Sequence, residues 1–257
     1  MNLPTPDRRE RRRLLTVYGR NAVHEALQDP TLSHRTLHLA RSNKRARVLD
    51  EIRASADGIG ITVREHTREE LARISRNGRQ DQGVALDVRC EAMADLEDVI
   101  ESLAKSPRAQ LMALDGVTNP QNVGMIIRSI TAAGLDGLLL ADKGNPALGP
   151  LVIKASAGTV FRAPLLRCQT VMAAITSLMD HGFELIRLHA REGAKDLTDT
   201  QFPNHCVVVL GGESEGVSKD IRELSGYEVV IPMANGVESL NVAVSAALLA
   251  YRLKDLS

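Results

Sequence analysis

The chain has 257 residues, which is enough for one large domain or two small ones. Its apolar content is ordinary, and its formal net charge is zero. It holds no apolar run long enough to span a membrane, and its first residues lack the apolar core of a secretory signal. Three widely spaced cysteines, without a Cys/His cluster of zinc spacing, predict a reduced, cytoplasmic protein that binds no metal.

The charges are unevenly distributed along the chain. Residues 1–90 carry 18 Lys and Arg against 12 Asp and Glu, whereas residues 91–257 carry 14 against 20. A basic front half could hold a polyanion through phosphate contacts; an arginine-rich solvated surface is the alternative interpretation. With no Trp, three Tyr and three Phe, the chain offers few rings for base stacking, so any RNA contact should be to phosphate, sugar and shape.

The front half alternates between predicted strands and helices. Residues 1–15 are interpreted as a basic flexible tail, after which a turn enters a helix at VYGRNAVHEAL. The segments that follow are TLHLA, the arginine-rich helix SNKRARVLDEIRAS, GITVREHT, TREELARIS and GVALDV. This alternation predicts a small α/β domain over residues 16–90. Residues 91–109 are acidic and partly helical in pattern and are interpreted as a linker.

The back half, residues 110–257, predicts a second α/β domain. Its predicted strands are LMALD, GLLLA, FELIRLH, CVVVLG and YEVVIP, and its predicted helices cover residues 122–133, 148–157, 171–181, 219–224 and 240–253. Apolar strands that alternate with helices favour a mainly parallel sheet with helices on both faces. Ligands bind such sheets at the loops after the carboxyl ends of the strands, so we expect the informative loops to follow Asp115, Leu210 and Pro232.

The first of these loops lies in the segment DGVTNPQNVGMIIRSITAAG. Asn119-Pro120 predicts a turn, because proline disfavours helical dihedrals in the residue before it. Val123, Ile126, Ile127 and Ile130 then form one apolar helix face. Arg128 lies off that face, one turn after Gly124. A glycine at this point leaves room for something to approach the backbone beneath the guanidinium.

The second loop, VVVLGGESEG, contains a G-x-S-x-G pattern that is also found at the nucleophile of α/β-hydrolases. Such a hydrolase needs a histidine after the serine, but the last histidine, His205, precedes Ser214. No phosphate-binding P-loop and no dinucleotide fingerprint is present either. The pattern therefore predicts a glycine-rich turn that a ligand can approach, with Glu213 at its tip; a plain strand-to-helix turn is the alternative.

The third loop lies in IPMANGVESLNVAVSAALLAYRLKD. Asn235-Gly236 is a turn signal, and Ser239 can cap the helix that follows. We expect the packing stripe of this helix to consist of Leu240, Ala243, Val244, Ala247, Leu248 and Tyr251. Asn241 and Ser245 share another face.

Together the three loops resemble the motifs of the SpoU-type (TrmH-like) RNA 2′-O-ribose methyltransferases of the SPOUT superfamily. The motif N-P-x-N-x-G-x-x-x-R matches residues 119–128, G-x-E-x-x-G matches 211–216, and I-P-M followed by S-L-N-V matches 231–233 and 239–242. All three occur in the family's order, each after an apolar strand. Ala243 stands where the family often has serine.

The front half is a looser match to the L30e-like RNA-binding domain that many members of this family carry. The segment VYGRNAVHEAL resembles the opening of that domain. Its close usually reads His-Gln-Gly, whereas this chain has Asp81-Gln82-Gly83.

The resemblance implies an α/β, SPOUT-type fold with a mainly parallel sheet, a C-terminal trefoil knot and a small N-terminal L30e-like domain. It implies that S-adenosylmethionine is the cofactor and that loop backbone holds it in a bent shape. The residues carried over for this role are Leu210, Gly211, Gly212, Ile231, Met233, Ser239 and Leu240. It also implies a homodimer with the active site near the subunit interface.

The implied reaction moves a methyl group to a ribose 2′-hydroxyl of RNA. Arg128 would reach toward that ribose and help to activate its hydroxyl. Alternatively, because arginine stays protonated, Arg128 would position a phosphate and stabilise the developing alkoxide. Ser239 and Asn241 would orient the hydroxyl and the arginine. Asn119 would shape the loop that carries Arg128, and Glu213 would steady the guanidinium.

The implied target is large-subunit (23S) ribosomal RNA, with transfer RNA as an alternative. An antibiotic-resistance methyltransferase would show the same motifs as a housekeeping one. A non-enzymatic RNA-binding protein is the rival from another class, and it would need the basic front half but not the three loops.

Overall fold

A computed structural model of the chain describes residues 10, 12–189, 193–212 and 215–254. The chain divides into two compact units, Met1–Glu91 and Ala92–Ser257. No helix of the described residues is both long and apolar enough to cross a membrane.

The first unit alternates between strands and helices, as its sequence predicts. Its elements are β1 (Leu14–Tyr18), α1 (Arg20–Gln28), β2 (Ser33–Ala40), α2 (Arg47–Ile59), β3 (Thr62–His66), α3 (Arg68–Ser75) and β4 (Val84–Arg89). The strands form a sheet in the order β1-β4-β2-β3, in which β4 is antiparallel to both neighbours and β2 is parallel to β3. α3 begins with a capping box between Thr67 and Glu70.

The basic tail predicted for residues 1–15 needs one correction. Residues 1–9 and 11 lie outside the described residues. Leu14 and Leu15, however, are the first residues of β1 and pair with Arg89 and Val88 of β4. Leu15 is buried, so the sheet begins before the boundary that the arginine run suggests.

The second unit contains the larger sheet. Its elements are β5 (Ala94–Asp95), α4 (Leu96–Lys105), β6 (Ala109–Asp115), α5 (Pro120–Ala133), β7 (Gly137–Ala141), α6 (Pro150–Ala155), a 3₁₀ turn (Thr159–Phe161), β8 (Leu165–Cys168), α7 (Val171–Asp180), β9 (Glu184–Leu188), β10 (Lys195–Asp196), β11 (His205–Gly211), α8 (Lys219–Arg222), β12 (Tyr227–Val230) and α9 (Val242–Lys254). In the described part of the chain the strand order is β10-β12-β9-β11-β6-β7-β8-β5, and every neighbouring pair is parallel.

Helices cover both faces of this sheet, as predicted. Alternate residues of β6 and β11, such as Leu111 and Val207, pack in one buried cluster with side chains of α4, α7 and α8. α5 packs against α6 and α9, and α9 also contacts β11. Because successive strand residues point to opposite faces, the remaining buried strand residues, such as Met112 and Leu210, face the other layer.

The segment 91–109, interpreted from sequence as a linker, belongs to the second unit. β5 pairs with β8, and Leu96 and Ile100 of α4 are buried in the core cluster. An acidic helix with one apolar face resembles a solvated linker in sequence, and only the sheet that it packs on distinguishes the two. The sequence does not predict β8, because LLRC is shorter than the usual apolar strand pattern.

The stripe predicted to pack in the last helix is wrong in part. Val244, Leu248 and Tyr251 are 48%, 45% and 45% exposed, and Leu240 precedes the helix. The buried residues of α9 are Val242, Ala243, Ser245, Ala246, Leu249, Ala250 and Leu253. Both faces of this helix are rich in small or apolar side chains, so periodicity could not show which face meets the chain's own core.

Two of the three cysteines are core residues. Cys90 and Cys206 are buried, and burial raises the pKa of each thiol to about 12. Cys168 is half-buried in β8. Among the described residues, no group of three or more His, Cys, Asp or Glu side chains could hold a metal ion.

Candidate active site

The three informative loops follow the carboxyl ends of β6, β11 and β12. These strands are parallel members of one sheet, so their carboxyl ends lie at the same edge. β6 and β11 are neighbours, and the chain runs from β6 to β7 and β8 on one side but to β9 and β12 on the other. Their shared edge is thus a topological switch point, where open α/β sheets bind ligands.

A cavity of about 260 Å³ opens between the loops after β6 and β11. It is lined by Asp115, Gly116, Val117, Thr118, Asn119, Asn122, Gly212, Glu215, Gly216 and Ser218. The two loops contact each other directly: the Ser218 amide donates a hydrogen bond to Asp115 Oδ2 at 2.7 Å. A Cβ atom on Gly212 would lie 2.5 Å from the Gly116 carbonyl oxygen, so only glycine allows this approach.

The glycines of the second loop allow a tight turn. The Gly216 amide donates to the Gly212 carbonyl at 2.9 Å, and Gly216 has a φ of 64°. A Cβ atom on Gly211 would lie 1.9 Å from the carbonyl carbon of Gly216. The chain therefore folds back on itself at the end of β11 and presents backbone groups to the cavity. Glu213 and Ser214 lie outside the described residues.

The first loop leads directly into α5. Asn119 is the N-cap of this helix, where its side chain accepts from the Gln121 amide at 2.9 Å, and Pro120 is the first helical residue. Asn119 has the extended dihedrals, φ −75° and ψ 115°, that the following proline predicts. Arg128 lies on the exposed side of α5 and makes no hydrogen bond or ion pair with another described residue.

The element that approaches the backbone at Gly124 is α6. A Cβ atom on Gly124 would lie 2.5 Å from Ala155 Cβ and 2.8 Å from the Val152 carbonyl oxygen. The room that the sequence predicts at Gly124 is therefore used for helix packing.

The third loop reaches the cavity through Asn241. Its Nδ2 donates to Oδ1 of Asn122, a buried cavity residue, at 3.2 Å. Its Oδ1 accepts from the Ala243 amide at 2.8 Å, so Asn241 caps α9. The expectation that Ser239 caps this helix is therefore wrong, because α9 begins at Val242. Ser239 is exposed in the loop before the helix.

The remaining predicted cofactor residues divide into buried and exposed ones. Leu210 is buried in β11, and Ile231 is half-buried directly after β12. Met233 and Leu240 are each 37% exposed. The described residues thus bring the first two loops together at the cavity and join the third to it through the Asn241–Asn122 hydrogen bond.

Three polar residues of this edge were given no site role from the sequence alone. Asp115 and Ser218 join the two loops, and Asn122 receives the bond from Asn241. The acid that ends LMALD and the asparagine in the N-P-x-N motif were visible signals. Their partners were not, since these lie 103 and 119 residues away along the chain.

The first unit carries a separate polar surface at one end of its sheet. Gly83 accepts there from the Ala40 amide at 2.9 Å and from Asn43 Nδ2 at 2.8 Å, while the Arg20 amide donates to Gln82 Oε1 at 3.1 Å. These bonds tie together the loops after β1 and β2 and the loop before β4. The cations of these loops and of the first position of α1, here called the basic loop cluster, are Arg20, Arg41, Lys44, Arg45, Arg76 and Arg79.

Asp81, which stands where the family usually has histidine, is a buried loop residue. It is 1% exposed, and its carboxylate accepts from Ser75 Oγ at 2.8 Å and from the Gly83 amide at 2.9 Å. It therefore shapes the loop before β4, while the neighbouring Gln82 is exposed.

Comparisons with known proteins agree with the division of the chain into two units. Residues 109–251 match the model of the SpoU rRNA methylase family, and residues 16–91 match the model for RNA 2′-O ribose methyltransferase substrate binding. An uncharacterized tRNA/rRNA methyltransferase of Mycobacterium avium is 34% identical over 91% of this chain and 74% of its own length.

Solved structures share the fold. The AdoMet-bound rRNA methyltransferase of Sinorhizobium meliloti aligns with a TM-score of 0.66 and 22% identity, over 95% of this chain and 87% of that one. The SpoU methyltransferase AviRb of Streptomyces viridochromogenes, in complex with AdoMet, aligns with a TM-score of 0.63 and 23% identity, over 98% and 94% of the two chains.

Proposed function

The chain belongs to the SpoU rRNA methylase family, and from this premise we propose that it transfers a methyl group from S-adenosylmethionine to a ribose 2′-hydroxyl of RNA. The observation that carries the proposal is the cavity at the switch point of the second unit. All three family motifs meet this edge, two in the cavity wall and one through the Asn241–Asn122 bond.

The cavity fits one end of S-adenosylmethionine. Three of its lining residues are glycines, which let the backbone come close to a ligand. Two carboxylates, Asp115 and Glu215, line it and would favour a cationic ligand. The cofactor, when bound, supplies a methyl group activated by the positive charge of its sulfonium. We propose that Gly211, Gly212, Ile231, Met233, Ser239 and Leu240 hold it by backbone groups, with Leu210 behind them.

The difficult step is the activation of a hydroxyl that is barely ionised at neutral pH. We propose that Arg128 donates hydrogen bonds to the ribose oxygen as negative charge develops on it, and to an adjacent phosphate. The bond between sulfur and the methyl group breaks as the bond between oxygen and the methyl group forms, and the hydroxyl proton leaves to water. The exposed position of Arg128 on α5, free of any ion pair with a described residue, leaves its donors available for RNA. Asn119 fixes the start of that helix, and Asn241 joins it to α9 through Asn122. Glu213 and Ser239 keep the roles that the resemblance implies.

RNA would meet the first unit at the basic loop cluster. Five of its six cations are exposed and the sixth, Arg20, is half-buried. The cluster contains no stacking aromatic, so its contacts would be to phosphates, which position RNA without reading its sequence. We propose large-subunit ribosomal RNA as the substrate, and the description of the matching SpoU family as rRNA methylases supports a ribosomal target. The curated relatives are named for tRNA and rRNA together, so transfer RNA is the second candidate.

A homodimer is proposed from the exposed face of α9. Val244, Leu248 and Tyr251 recur there at helical spacing, and Met125 on the neighbouring α5 is 41% exposed. Exposed apolar side chains along one helix face are typical of a protein–protein interface. A second copy of the chain would cover it near the three loops, since α9 begins directly after Asn241.

The C-terminal trefoil knot is also a proposal. β12 lies beside β9, whereas α9 packs against α5 and β11. Residues 231–241 must therefore cross the carboxyl ends of the strands between them. Threading of this segment through a loop would produce the knot and hold the three motifs together.

Replacement of Arg128 tests the proposed mechanism. We expect Arg128→Ala to lower methyl transfer by about a hundred- to a thousandfold, which is the usual effect of losing one hydrogen-bond donor to a developing oxyanion, while S-adenosylmethionine binding stays intact. Arg128→Lys should recover only part of the rate, because an ammonium lacks the planar fork. The measurements are transfer of labelled methyl groups to RNA and calorimetry with S-adenosylmethionine.

Arg162→Ala serves as the control, because Arg162 is also an exposed arginine of this unit but belongs to none of the motifs. A wild-type rate of methyl transfer in Arg128→Ala would contradict the proposed role of Arg128.

A further inference from the structure

The ends of β6 and β7 separate at the edge that carries the cavity. Their pairing stops at Ala113 and Leu139, although the strands continue to Asp115 and Ala141. The side chain of Asn145, from the loop after β7, bonds to backbone of both separated ends. There it replaces the backbone bonds that a continued ladder would have made.

The carboxamide of Asn145 makes three hydrogen bonds to backbone. Its Oδ1 accepts from the Ala141 amide at 2.8 Å, and its Nδ2 donates to the carbonyls of Leu114 at 3.0 Å and Val117 at 3.2 Å. Both amide hydrogens are thus used, each on a carbonyl of the segment that enters the cavity wall. Only a carboxamide of this length offers one acceptor and two donors together.

The bonds of Asn145 hold the loop of residues 115–119 from the side opposite to Ser218. β6 lies between β7 and β11, and Asn145 comes from the β7 side while Ser218 bonds to Asp115 from the β11 side. The loop is therefore fixed on both flanks, with the cavity on one of them. Val117, which accepts one of the bonds, is only 2% exposed.

We propose that Asn145 is a positioning residue for methyl transfer, which holds this loop in the shape that places Asn119 at the cavity and sets the start of α5, the helix that carries Arg128. This rests on the proposed function. None of the three family motifs includes Asn145, and it does not line the cavity itself. It acts through the loop: without its two donors, the carbonyls of Leu114 and Val117 have no partner from this side chain and the loop before Asn119 gains freedom.

The variant that separates this role from simple packing is Asn145→Asp. The aspartate has the same size and still accepts from the Ala141 amide, but it has no hydrogen to donate and places negative charge beside two carbonyl oxygens. In the full-length chain without S-adenosylmethionine, we expect the backbone amides of residues 115–119 of the variant to exchange with deuterium at least tenfold faster than in the wild type. At saturating S-adenosylmethionine and RNA we expect turnover to fall at least tenfold, with a smaller change in the KM for S-adenosylmethionine.

Gln110→Glu is the matched control. The buried carboxamide of Gln110 donates to the Pro203 carbonyl at 3.0 Å and accepts from Arg108 Nη2 at 2.8 Å, and Gln110 lies near the amino end of the same strand β6. Its conversion to a carboxylate should leave exchange of residues 115–119 and the turnover per folded molecule close to wild type. Circular dichroism at the assay temperature establishes that both variants are folded.

Unchanged exchange of residues 115–119 in Asn145→Asp would overturn the proposal, and so would faster exchange with turnover within twofold of wild type. A wild-type chain that transfers no methyl group would instead contradict the proposed function. In that case the exchange measurement still decides whether Asn145 holds the loop.

Discussion

The charged residues with the clearest consequence for RNA are Arg41, Lys44 and Arg45, three exposed members of the basic loop cluster. We expect their joint replacement by glutamate to weaken RNA binding at least about tenfold at low salt, because counterion release from phosphates drives such binding. The slope of log affinity against log salt should become shallower by about one unit for each phosphate that the variant no longer binds. Titration of a fluorescent RNA at several salt concentrations measures both quantities.

Replacement of Lys105, Lys219 and Arg222 by glutamate gives a control with the same change in net charge. These three cations are exposed and belong to the second unit. An equal loss of affinity in both triple variants would indicate that RNA responds to net charge alone and that the basic loop cluster has no special role.

Single residues also show how far the sequence could be interpreted. The cap at Asn119 and the close approach at Gly124 were predictable, because turn and glycine rules act within a few neighbouring residues. The burial of Asp81 was not, since it depends on Ser75 and on the fold of the whole loop. Nor could the sequence show that Asn241 caps α9 in place of Ser239.

At the scale of the element, the close packing of α5 on α6 depends on Gly124. We expect Gly124→Ala to lower the free energy of unfolding by about 1–3 kcal/mol, because the added methyl group would overlap Ala155 Cβ and the Val152 carbonyl. Urea denaturation measures this change.

Gly58→Ala is the control for that prediction. Gly58 lies in α2, and a Cβ atom there would meet nothing within 4 Å. Alanine favours the helix, so this variant should gain up to about 1 kcal/mol of stability. If Gly124→Ala were equally stabilising, the tight contact between α5 and α6 would be contradicted.

Elements with a strong local pattern were predictable, and those defined by distant partners were not. The apolar strands β6, β7, β9, β11 and β12 and the helices between them occur where the sequence predicts them. The pattern of β5 and α4 indicates a linker instead, because a two-residue strand has meaning only beside β8. The buried face of α9 was predicted wrongly for the same reason. One helix can present apolar residues both to its own core and to a partner, and the sequence does not distinguish the two faces.

At the scale of the whole molecule, the exposed face of α9 predicts self-association. We expect the wild-type chain to sediment as a dimer at micromolar concentration, and Leu248→Glu to sediment as a monomer, because a buried unpaired charge strongly disfavours the interface. Methyl transfer should fall with the dimer if the active site lies near that interface.

Ile59→Glu is the matched control for self-association. Ile59 is 46% exposed, close to the 45% of Leu248, but it belongs to the first unit. A monomeric wild-type chain would contradict the proposed homodimer without affecting the family assignment.

The division into two units explains which parts of the function could be derived from sequence. The three motifs are far apart along the chain, yet parallel strands bring their loops to one edge, as the rule for α/β sheets predicts. We propose that exposed cations of the first unit position the RNA through its phosphates, and these cations follow no periodic pattern. Chemistry was therefore easier to predict than target.

The central claim is that the methyl group arrives on a sugar oxygen. The most direct measurement is mass spectrometry of nucleosides from large-subunit ribosomal RNA that the purified chain has treated with isotope-labelled S-adenosylmethionine. We predict the label in one 2′-O-methylnucleoside, absent when Arg128→Ala replaces the wild-type chain. Label on a base, or no label in any ribosomal or transfer RNA, would contradict the account.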